Sequence, residues 1–498
     1  MWRVKEVGHK AGRHGGTLEQ LRLKRRQQEK SLRQARRDRQ LVSKRLLHVE
    51  NEDDSEVSMD AASEVEDVVG LLHKLHQSGP DKEVNLRAMS KALRDPSTQL
   101  TFIKQENSIH LLVGLLTGSD ARCRLLALQC LHELSHSPHT SVSLTCLPAS
   151  SYLLTYLSGQ STRFTELCLY TLGNLCPDGD AVTEKLLAQG IIPALANCME
   201  SQRHNLAVVE AAAFTLSQLL QTRTAAQNII PTVLASRLPS LLLSVLTPEP
   251  EFGPAPAIEC AWCLHYLTSS TKDNRELLTG GALQQCSSLL GTLGGAVTAG
   301  KRDEGLELLL CPLLRCVGNL LCCCPVEELS SQVGGASFMV TLCAIIHTYL
   351  HTRPSLAREA AWVLNNATAH CSQICSALLS LNLVPALINL LLFSEGINVM
   401  ILRTLANVAH KNKESSVQLV EHGLLAALCT TLKMADQEMV TLSLEVLFLL
   451  VDGSSKIAKE FVRQGGLALL EVIQFNSERE MRERASYLLH QHFVSYDQ

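Results

Sequence analysis

The 498 residues are 46% hydrophobic, 19% charged and only 4% aromatic. This is the composition of a folded chain, too poor in aromatics for a β-sandwich or barrel and suited to stacked helices of Leu and Ala. A net charge of −4 hides a division: residues 1–48 hold 15 Lys/Arg and 4 Asp/Glu, so the totals of 45 and 49 leave 30 and 45 elsewhere, a body of about −15. At this length the chain is expected to form roughly three domains or one elongated repeat array. The 18 Cys, many inside apolar runs such as "LLCCCPV", read as core residues of a reducing compartment without a disulfide framework. The polar start "MWRVKEVGHKAGRHGG" does not read as a signal peptide.

The first predicted element, residues 1–48, is a basic helical arm containing "KRRQQEKSLRQARRDRQLVSKRLL". Its heptad positions Leu18, Leu21, Arg25, Gln28, Leu32, Ala35, Arg39, Val42 and Leu46 allow a coiled coil, though the polar and cationic members weaken the seam. Arginines on a helix also attract phosphate. No aromatics interleave for base stacking, and nucleic acid is not expected as a partner. Residues 49–68 follow as an acidic linker without Lys or Arg through Asp67, self-repelling and extended.

Residues 69–498 are expected to fold as one repeat domain. A junction of the type "QGIIPALANCM", "HGLLAALCTTL" or "QGGLALLEVI" alternates with a helix of small residues: "LCLYTLGNLC", "EAAAFTLSQLL", "ECAWCLHYLT", "LLRCVGNLL", "EAAWVLNNAT", "ILRTLANVA". One position of that helix reads Ala88, Gln129, Tyr170, Phe214, Trp262, Arg315, Trp362, Arg403, Glu445. Most intervals are about 41–48 residues, the armadillo/HEAT period. The predicted fold is all-α, a right-handed armadillo/HEAT-type α-solenoid of about nine or ten repeats.

Enzyme signals fail on inspection, and no cofactor or metal is implied. "GAVTAGKR" imitates a phosphate loop but carries Arg302 where Mg²⁺ needs a hydroxyl, with no preceding strand. Both Cys of "CAWC" fill small-residue positions of the repeat. Cys343, His347 and His351 share a helix face but lack a fourth ligand in sequence. "LELLLCPLLRCVGNLLCCCPV" contains Glu307, Arg315, Asn319 and two prolines, so it reads as a buried solenoid helix and offers no clear membrane span.

"EAAWVLNNAT", "LCLYTLGNLCPDGD" and "CPLLRCVGNLL" resemble the third helices of importin-α armadillo repeats. In that family an inner-groove Trp, with an Asn four residues later, grips a basic nuclear localisation peptide. The resemblance implies a peptide groove at Tyr170, Asn174, Asp178, Phe214, Gln218, Trp262, Arg315, Asn319, Trp362, Asn366 and Asn407. Only Trp362 with Asn366 keeps the full pair, and Arg403 puts a cation where the family has an indole. "SLRQARRDRQLVSKRLL" is similar to the family's importin-β-binding segment, which implies that Lys24, Arg25, Arg26, Arg33, Arg36, Arg37, Arg39, Lys44 and Arg45 engage an importin-β-like receptor. The resemblance thus implies a nuclear import adaptor of cytoplasm and nucleus that binds protein segments, basic localisation signals among them. The alternative is a non-import armadillo scaffold, membrane-associated, whose arm is a coiled coil.

Overall fold

The computed structural model describes residues 61–77, 81–159, 161–176, 180–249, 252–270, 274–301, 304–393 and 396–493. Among these residues there is no strand, only an isolated bridge between Glu249 and Gly253. The protein is an α-solenoid of the armadillo/HEAT kind. Its spine is a stack of ten inner helices: α1 (Lys82–Ala92), α2 (Ala121–Ser135), α3 (Thr162–Leu175), α4 (Leu206–Leu219), α5 (Ala255–Ser270), α6 (Glu304–Leu321), α7 (Pro354–His370), α8 (Ile397–Lys411), α9 (Gln437–Gly453) and α10 (Arg479–Leu488). Each packs on the next. Other helices, most of them shorter, join one inner helix to its successor.

Local sequence explains the repeating unit. Aspartates start two of the inner helices: Asp120 accepts from the Arg122 N–H at 2.8 Å, and Asp436 from the Glu438 N–H at 2.9 Å. The junction between the two outer helices needs left-handed backbone, which Gly190 (φ 80°) and Gly423 (φ 92°) supply. Asn107 and Asn382 occupy the same conformation at φ 62° and 53°, so "LNLVPAL" turns like its glycine counterparts. Gly295 lies inside the helix Ala282–Thr298, so the glycine-rich stretch around it is not a phosphate loop.

One continuous apolar core runs from Val68 to Phe493. Each fully buried Leu in it, such as Leu128, Leu216 or Leu364, contributes about 1.5–3 kcal/mol. Small residues set the spacing. Ala211, Ala212 and Ala213 are withdrawn from solvent in α4, as are Cys260, Ala261 and Cys263 in α5. Among the described residues the first helix, Ala61–His76, begins inside the stretch expected as linker. The apolar side of α6 is spent on the core, with Leu309, Leu310, Leu313, Leu314 and Val317 all buried. Among the described residues no single helix is long and apolar enough to cross a membrane. Two bent helix pairs, Val326–Val333 with Ala336–Tyr349 and Ser372–Ser380 with Val384–Leu392, pass by length and composition.

Candidate functional site

The predicted groove residues other than Asp178 fall on the stacked inner helices α3 to α8. The best-formed part lies on α6 and α7. Trp362 lays its indole over Gly318, so closely that a Cβ there would stand 2.1 Å from Cζ3. Asn366, 5% exposed, donates to the Gly318 carbonyl at 3.1 Å and to Cys322 Sγ at 3.5 Å. Arg315 donates to Glu359 at 3.1 Å, with side chains only 6% and 4% exposed. Asn319 donates to Thr268 Oγ1 at 3.2 Å.

On the N-terminal side, Tyr170 and Phe214 meet at 5.3 Å between ring centroids, and Tyr170 Oη donates to Glu210 at 3.3 Å. Burial first, then the charges of Glu210, Glu166 and Glu259, hold the Tyr170 hydroxyl well above the ordinary phenol range. Asn174, 3% exposed, donates to Ser135 Oγ at 3.2 Å and contacts His136 Nε2 at 3.3 Å. Gln218 is buried, and Trp262 stacks on Tyr266 at 6.0 Å. On the C-terminal side, Asn407 donates to the Asn365 carbonyl at 3.3 Å and to Thr368 Oγ1 at 3.1 Å. Arg403 donates to Glu438 at 2.8 Å.

A common rule emerges. Asn174, Asn319, Asn366 and Asn407 each give their amide to the preceding repeat. These bonds staple one repeat to the next. Asp178 and the arm residues Lys24, Arg25, Arg26, Arg33, Arg36, Arg37, Arg39, Lys44 and Arg45 lie outside the described residues.

Sequence reading missed the acidic partners. Glu210 and Glu359 stand one turn before the row in "EAAAF" and "EAAW", where glutamate looks like an ordinary solvent-facing helix residue; both are buried. It also missed His132 and His136, for which the four-residue spacing in "LHELSHS" was the available signal. All 18 Cys are free thiols, most of them buried.

The chain resembles known proteins along most of its length. A model of the family described as TMCO6 matches residues 68–493. Importin subunit alpha-9 of Arabidopsis thaliana is 25% identical over 407 residues, which cover 78% of this chain and 74% of that protein. Importin subunit alpha-2 of Oryza sativa subsp. japonica is 26% identical over 332 residues, covering 64% and 60%. The crystal structure of an engineered protein superposes with a TM-score of 0.68 at 19% identity, covering 87% of this chain and 98% of the other, a likeness of fold.

Proposed function

The chain belongs to the TMCO6 family, and we propose that it works as an importin-α-like adaptor that holds protein segments along its inner helices and an importin-β-like receptor through its basic arm. The observation that carries this reading is the continuous inner row, with Trp362 and Asn366 intact and Asn319, Tyr170 and Asn174 in register. It stands in a chain whose relatives include importin α subunits. An indole lying on a glycine backbone is a slot wall for an aliphatic Lys stem, and the charge of about −15 on the body favours a basic segment. The arm residues Arg33, Arg36, Arg37 and Arg39 would pair with carboxylates of the receptor. Such an adaptor works in cytoplasm and nucleus.

Fluorescence anisotropy of a labelled basic peptide tests the groove at two salt concentrations. The reading expects saturable binding that salt weakens and Asn366→Ala reduces. No binding at either salt concentration favours a second reading, a scaffold for non-basic partners. That reading has its own observation: the amides of Asn174 and Asn366 are buried and already bonded between repeats, and Arg403 adds a cation to the row.

A further inference from the structure

We propose that His132 and His136 form a chelating site for a divalent transition-metal ion of the zinc, nickel and copper class, at the C-terminal end of α2. The two imidazoles are one helical turn apart and bring their Nε2 atoms to 3.1 Å, rings at 85° with centroids 4.5 Å apart. With metal–nitrogen bonds of about 2.05 Å, two ligand nitrogens stand about 2.9 Å apart at a right angle and about 3.3 Å apart at a tetrahedral one. The observed separation, a hydrogen-bonding distance between the two rings, lies between these values, so an ion can replace the shared proton with little movement of either ring.

The surroundings prepare one ring for ligation. Thr171 Oγ1 gives its proton to the Leu167 carbonyl at 2.7 Å, so toward His132 Nδ1, 3.3 Å away, it acts as acceptor. His132 therefore carries its proton on Nδ1 and turns the lone pair of Nε2 toward His136. An outer hydrogen bond of this kind fixes tautomer and ring orientation in metal-binding histidines. His136 Nε2 meets the Asn174 amide at 3.3 Å, with Nδ2 placed toward it. The other end of that amide, Oδ1, is buried without a hydrogen-bond partner, in a residue 97% withdrawn from solvent (3% exposed). Half a rotation of the amide offers that oxygen to an ion beside His136, in exchange for the bond from Nδ2 to Ser135 Oγ.

Two further features favour a cation. The site occupies the carbonyl end of α2, where the helix dipole is negative. Both imidazoles are half-buried, so water can complete the coordination sphere. Among the described residues no three His, Cys, Asp or Glu side chains converge on one point. The donors are thus two imidazoles, Asn174 and solvent. Because Asn174 belongs to α3, the ion would join two repeats and hold an amide of the inner row.

The test uses the full chain and Ni²⁺ alone, titrated by calorimetry into the wild type, His132→Gln and His136→Gln. The expected result is one binding event present in the wild type and weakened at least tenfold in each variant, against an unchanged background from the other histidines. Equal stoichiometry and affinity in all three overturns the proposal. If the histidine variants lose their helical circular dichroism, Asn174→Asp decides. A carboxylate beside His136 must tighten Ni²⁺ binding at least tenfold, and an unchanged affinity overturns the proposal.

Discussion

Arg315 and Glu359 form an ion pair at 3.1 Å, with both side chains almost wholly withdrawn from solvent between α6 and α7. Breaking such a pair leaves one charge buried alone, which costs about 3–5 kcal/mol, while replacing both partners by apolar groups is often neutral. Arg315→Met is therefore expected to lower the urea midpoint strongly. Arg315→Met with Glu359→Leu should recover most of the loss. Equal destabilisation of the single and double variants would show that the pair is not what holds α6 to α7.

Gly318 faces Trp362 with no room for a methyl group. Gly318→Ala must push the indole off the α6 backbone, at about 1–3 kcal/mol. The emission of Trp362 should shift to the red, read in a variant in which Trp2 and Trp262 are replaced by Phe. An unmoved spectrum and midpoint would mean that the indole does not rest on Gly318.

The thiols set an alkaline limit. Burial pushes Cys198 and Cys375 up to about 11, and the two residues are 2% and 1% exposed. In the unfolded chain they ionise near 8.5. The folded state then binds more protons than the unfolded one, so stability is intact below that value and falls as pH rises toward 11. Each thiol contributes a loss on the order of 2–3 kcal/mol over that range. The urea midpoint should decline from about pH 8.5 upward, less steeply in Cys198→Ala with Cys375→Ala. A midpoint flat to pH 10 would contradict this.

Arg403 occupies a row position with Glu438 as its partner. Arg403→Trp removes a cation and adds an aromatic wall, worth about 0.5–2 kcal/mol to a lysine stem. Basic-peptide affinity should rise roughly twofold to thirtyfold in the anisotropy assay. An unchanged affinity would place the peptide elsewhere.

The fold was legible because small residues recur with the period of the repeat and glycine or asparagine recurs at the left-handed junction, as in "QGIIPAL" and "LNLVPAL". The row itself was legible from Trp362 and Asn366 outward. What escaped was pairing across repeats. Glu359 lies 44 residues from Arg315, and the same stretch that reads as an exposed glutamate is buried by its neighbour helix. The amide bonds of Asn174 and Asn407 to the preceding repeat escaped for the same reason. They depend on how far α3 slides along α2, or α8 along α7, and the spacing of residues within one helix does not encode that offset.

The adaptor reading stands most directly on the arm. Purified importin-β should be captured by the full chain in a concentration-dependent manner. Capture should be lost on deleting residues 1–48, and equally on replacing Arg33, Arg36, Arg37 and Arg39 by Glu, since each buried guanidinium pair removed costs roughly 2–5 kcal/mol. Capture that survives the deletion, or a full chain that captures no importin-β at all, would contradict the account.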